Sequence, residues 1–133
     1  MITLSEHRLS TDLHVTNTVS TDYPSHVLEF HALFHNYILA PSHDVLITPL
    51  QHKVYYDKTE PTEEGKAKPK VESRAAVDVR DFTDSVFENA PQQYEVTWPG
   101  GGISIKSTEL KDVVVWNPNE GGRQMADMEE KGW

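Results

Sequence analysis

Gln93-Tyr94-Glu95-Val96-Thr97-Trp98-Pro99-Gly100-Gly101-Gly102-Ile103-Ser104-Ile105-Lys106 is the stretch that decides the fold class. Tyr94, Val96 and Trp98 alternate with Gln93, Glu95 and Thr97, and Ile103 and Ile105 alternate with Ser104 and Lys106. A period of two places alternate side chains on opposite faces of a strand. Between the two runs, Pro99-Gly100-Gly101-Gly102 supplies the positive φ angles of a tight reversal, so the pair reads as a β-hairpin. The glycines lack the Lys-Ser/Thr ending of a phosphate loop and read as a turn.

The same period recurs outward from the hairpin. Leu9, Thr11, Leu13 and Val15 alternate with Ser10, Asp12 and His14 as a half-buried strand. Asp112-Val113-Val114-Val115-Trp116 is apolar on both faces and predicts a central strand that stops at Asn117-Pro118. Further strands are predicted at Val27–Leu39, Asp44–Leu50, Lys53–Tyr56 and Ser73–Val79. Phe82–Glu88 is ambiguous, and Arg123–Lys131 is long enough for one or two helical turns. Lys58–Lys70, polar and with two prolines, predicts a surface loop with a solvated charge run. The expectation is an all-β, mostly antiparallel β-sandwich in a single domain spanning residues 1–133, with 58–70 as a surface loop.

Composition narrows the function classes. Twelve basic residues against twenty-one acidic ones give a formal charge of −9. That balance argues against nucleic acid and anionic membrane surfaces, which need a basic footprint. No apolar run approaches the roughly 20 residues of a bilayer span. The start, Met1-Ile2-Thr3-Leu4-Ser5-Glu6, carries no readable signal peptide. The chain has no cysteine, which removes disulfides, thiolate nucleophiles and cysteine zinc sites. A cytoplasmic location is the expectation.

The histidines are the first candidates for chemistry. In a strand, His31, Leu33, His35 and Tyr37 share one face. His31 and His35 would then stand about 13 Å apart at the ~3.3 Å rise of a strand, too far to ligate one metal ion. No metal or other cofactor is expected. His31 reads as a polar rim residue. His35 sits in an aromatic, apolar run, where burial lowers a histidine's pKa and a nearby carboxylate raises it. Asp84, between Phe82-Thr83 and Val86-Phe87, reads either as a cap or turn residue or as an acceptor for a pair of sugar hydroxyls.

Several stretches, consistent in order along the chain, resemble one family. Leu28-Glu29-Phe30-His31-Ala32-Leu33-Phe34-His35-Asn36-Tyr37-Ile38 resembles the histidine strand of the glucose-6-phosphate 1-epimerases, and Asp12-Leu13-His14-Val15-Thr16-Asn17-Thr18 the strand before it. Phe82-Thr83-Asp84-Ser85-Val86-Phe87 resembles their Thr-Asp segment. Asp112-Val113-Val114-Val115-Trp116-Asn117-Pro118, followed by Ala126-Asp127-Met128, resembles their Val-Val-Trp-Asn-Pro strand and Asp-Met segment. The resemblance implies a galactose mutarotase-like sandwich and an isomerase that interconverts the α and β anomers of a hexose 6-phosphate without a cofactor. It implies that His35 is the general acid at the ring oxygen and that Asp84 holds sugar hydroxyls. The family's general base lies in a Glu-Pro-Gly segment absent here, and Arg8, Arg74, Arg80 and Arg123 match none of its phosphate-holding arginines. The expectation is therefore an internal to C-terminal portion of an epimerase, a partial sandwich that self-associates through exposed sheet edges. The alternative is a non-catalytic carbohydrate-binding or structural β-sandwich module.

Overall fold

A computed structural model describes residues 1–18 and 27–125. The chain divides into two compact units, Met1–Asn36 and Tyr37–Trp133. Among the described residues all strand pairings are antiparallel and there are two short helical elements; the protein is an all-β fold.

In the first unit, β1 (Ile2–Ser5) and β2 (Arg8–Thr11) form a hairpin whose register pairs Leu4 with Leu9. The strand predicted through Val15 is shorter: β2 ends at Thr11, Asp12 still exchanges hydrogen bonds with Met1, and the chain is irregular from there to Thr18. Val27–Leu39 is likewise not a strand: its described residues are irregular, and Leu33 and Phe30 are exposed. An alternating pattern specifies a strand only when another strand satisfies its amides and carbonyls, and among the described residues no strand pairs with this run.

The second unit holds two sheets. One has the order β3 (Leu46–Thr48), β7 (Gln93–Trp98), β8 (Gly101–Lys106). The other has the order β5 (Pro69–Val71), β4 (Val54–Asp57), β6 (Thr83–Phe87), β9 (Val113–Asn117). The hairpin forms as its alternation predicts, but its loop is shorter than the glycine run. Trp98 pairs with Gly101, so only Pro99-Gly100 turns. Gly100 has φ +87°, the value a type II turn requires after proline. A Cβ on Gly101 would lie 2.8 Å from Nε1 of Trp98, so the indole covers a position that only hydrogen can occupy.

Both sheets feed one core. Tyr94 and Val96 of β7 join Phe87 of β6, Val115 of β9, and Val45, Leu50, Val77 and Val79 from the connections. Phe87 is fully buried and stacks on Tyr55 of β4, its direct cross-strand partner, with ring centroids 5.1 Å apart. Ser73–Val79 is not a strand. It contributes a single bridge, Val77 to Ile47, with hydrogen bonds of 2.8 and 3.0 Å. Nor is the valine run central: among the described residues β9 is an edge strand, paired only with β6. Asn117 at its end donates from its side chain to the Val79 carbonyl at 3.1 Å. Phe82–Glu88 resolves as a strand, because Ser85 and Phe87 alternate inward against Asp84 and Val86.

The charged segment at 58–70 is more ordered than a loop. Thr62 accepts a hydrogen bond from the Gly65 amide at 3.0 Å and caps α1 (Glu63–Ala67). Glu63 and Glu64 occupy the first turn and Lys66 the last, the arrangement a helix dipole favours. The segment then enters β5 at Pro69, where an edge strand tolerates the missing amide. A 3₁₀ turn covers Asn119–Gln124; most of the helix predicted at Arg123–Lys131 lies outside the described residues, as does Ala126-Asp127-Met128.

Phe87→Ala removes the best-buried ring of the core and its stack on Tyr55. It is expected to destabilise the second unit by about 3–5 kcal/mol, read by urea denaturation.

Candidate functional site

The two residues singled out by the sequence fall in different units. His35 is exposed and belongs to an irregular part of the first unit, as does His31. Asp84 is the second residue of β6 in the second unit and is neither a helix cap nor a turn. Reading it as a turn residue missed that Thr83 to Phe87 pair continuously with Asn117 to Val113.

Strand alternation decides what Asp84 faces. Ser85 and Phe87 point to the core side, so Asp84 and Val86 share the opposite face of the four-stranded sheet. There Asp84 lies directly across from Trp116, and Val86 from Tyr56. Both aromatic residues are half-buried, as is Asp84. Lys58 lies at the same face, with Nζ 5.3 Å from the Tyr56 ring centroid. Its amide donates to the Asp84 carbonyl at 2.7 Å. No donor among the described residues reaches the Asp84 carboxylate. Burial pushes its pKa up, the charge of Asp57 adds to that, and Lys58 partly offsets both. The result is a carboxylate with unused acceptor capacity opposite Trp116, on the face that Tyr56 shares.

The core side of the same strands carries a second polar site. Glu72 is buried to 2% exposure and grips Arg74 through both oxygens, Oε1 to Nε at 2.9 Å and Oε2 to Nη2 at 2.7 Å. The Arg74 amide adds a third bond to Oε1 at 2.8 Å. Burial alone would raise the Glu72 pKa, but the hydrogen bonds and charge of Arg74 outweigh it and hold the carboxyl low. Arg74 also reaches Asp78 at 3.3 Å. Nearby, Lys70 bridges Asp57 at 2.8 Å and Glu60 at 2.6 Å. Burial opposes ionisation of Asp57 as well, yet its bonds to Lys70 and Thr59 leave its pKa lowered. Thus each of these two cations already serves two carboxylates.

Of these groups, Asp57, Arg74 and Asp78 line a half-open cavity of about 170 Å³, together with Tyr55, Asp81, Thr83 and Ser85. Asp84 does not line it. The charges of this site were visible in the sequence, but nothing there showed that Arg74 pairs with a buried Glu72, which lies just before the predicted strand Ser73–Val79. No group of three His, Asp or Glu side chains among the described residues is placed to hold a metal ion.

No protein family, curated protein or solved structure matches the chain.

Glu72 binds its proton less tightly when folded, so its pairing stabilises the fold above the ordinary carboxylate range near 4.5 and is lost as pH falls through the lower folded value. Arg74→Leu leaves that carboxylate buried and unpaired. It is expected to cost about 2 kcal/mol at neutral pH, below the ~3–5 kcal/mol of a wholly buried pair because Arg74 is half exposed. The loss should shrink on acidification, measured by urea denaturation across the acid range.

Proposed function

We propose that the chain is a segment of a hexose-6-phosphate 1-epimerase-type protein in which Asp84 receives sugar hydroxyls. The observation that carries this reading is the setting of Asp84. An undonated, half-buried carboxylate stands opposite Trp116, with Tyr56 on the same face. A pyranose presents an apolar C–H face, which suits an aromatic ring, and a rim of hydroxyls, which suits a carboxylate acceptor. Lys58 offers a cation at that face for a phosphate group.

The chemistry follows from the sugar. The anomeric hydroxyl loses its proton to a base while an acid protonates the ring oxygen, and the bond from C1 to that oxygen breaks. The open-chain aldehyde rotates about C1–C2. Closure returns the ring-oxygen proton to the acid and reprotonates the new anomeric hydroxyl. His35 is the proposed acid, on the strength of the epimerase-like stretch Leu28–Ile38. Each such proton transfer contributes about 10²–10⁴-fold.

A second reading, a carbohydrate-binding module without catalysis, is favoured by the exposed, irregular setting of His35. It keeps the Asp84 face and gives up the acid.

NMR exchange between the anomers of glucose 6-phosphate separates the two. Acceleration that is lost in His35→Ala and weakened in Asp84→Asn is the result expected of an epimerase. Sugar-phosphate binding that Asp84→Asn abolishes, with exchange at the buffer rate, selects the binding module. Neither exchange nor binding from folded protein rejects both.

A further inference from the structure

The core-side cavity calls for a ligand of its own. Ser85, at the centre of β6, is 7% exposed, and its hydroxyl makes no hydrogen bond among the described residues. A buried hydroxyl without a partner is costly, and such groups are normally satisfied. This one lines the cavity of about 170 Å³.

Charge selects the ligand class. Lys70 is shared by Asp57 and Glu60, and Arg74 by Glu72 and Asp78. Asp81, which also lines the cavity, has no cation within ion-pair distance among the described residues. The Arg80 guanidinium is directed to the His43 carbonyl at 2.9 Å instead. The site is therefore short of positive charge, which turns away a phosphate or carboxylate ligand. The carboxylates also do not converge on one point for a metal ion. They are spread along a cleft that Tyr55 and Phe82 also line, and aromatic side chains attract cations through their π faces.

We propose that this cavity binds a small organic cation, a guanidinium or primary ammonium group. Its N–H donors meet the carboxylates of Asp78 and Asp81 and the Ser85 hydroxyl, and its planar or methylene portion lies against Tyr55 and Phe82. The site is on the opposite face of β6 from Asp84 and does not depend on the sugar reading.

Titration of the ¹⁵N-labelled chain with agmatine tests it. Saturable shifts are expected at the amides of Asp81, Thr83 and Ser85. Affinity should fall about tenfold in Asp81→Asn, an exposed position that leaves the fold intact, and fall again in Ser85→Ala. Glu88→Gln, which removes an exposed carboxylate elsewhere, should leave affinity unchanged. N-acetyl-arginine amide in a parallel arm distinguishes the sources of the cation: tighter binding than agmatine assigns a peptide side chain, weaker binding a free amine. No saturable shift at these amides, equal loss in Glu88→Gln and Asp81→Asn, or stronger binding of glucose or inorganic phosphate at the same amides overturns the proposal.

Discussion

The stacking of Phe87 on Tyr55 across β4 and β6 is the contact on which the rest of the second unit depends. It fixes the register between the two strands, pairing Tyr55 with Phe87 and Asp57 with Ser85. Because the side-chain period of a strand is two, that register decides every neighbouring assignment. Phe87 and Ser85 turn to the core, and Asp84 and Val86 turn away from it. A slip by one residue would bury the Asp84 carboxylate and expose the ring, a double penalty of a lost apolar burial and a desolvated charge. The same register places Val115 of β9 beside Ser85 and closes the core next to the polar cavity.

Much of the fold was legible in the sequence where a short-range signal was complete in itself. Tyr94-Val96-Trp98, Pro99-Gly100 and Ile103-Ile105 contain both strands and their turn, so the hairpin needs no distant partner to be recognised. The failures occurred where the outcome rests on a partner. Val27–Leu39 alternates as well as any strand yet has none to pair with among the described residues, where the apolar Val113–Val115 lies at an edge. Thr62 capping α1 was hidden by the prolines and charges around it, since five helical residues leave little periodicity. Asp84 was picked out for its chemistry, but its face could be assigned only once Thr83–Phe87 was known to be a strand. The Glu72–Arg74 pair has no local signature, because burial of a carboxylate is a tertiary property.

One strand thus carries two kinds of polar chemistry on its two sides. On one, a carboxylate with spare acceptor capacity lies across from Trp116 and shares its face with Tyr56, a surface suited to the faces and hydroxyls of a sugar. On the other, shared cations and the lone Asp81 leave a cavity short of positive charge around a buried hydroxyl. The two are separated by the thickness of a backbone. They are also chemically opposed: the first has Lys58 beside it, and the second has its cations already spent. Both rest on residues 83–87 alternating as they do.

That alternation is open to a direct measurement, because the chain contains no cysteine and every introduced thiol reports alone. Thiol labelling of Asp84→Cys, Ser85→Cys, Val86→Cys and Phe87→Cys in the folded protein reads the two faces of β6 one residue at a time. Slow labelling at 85 and 87 with fast labelling at 84 and 86 is the result this register requires. The reverse order, or uniform reactivity at all four positions, would contradict it.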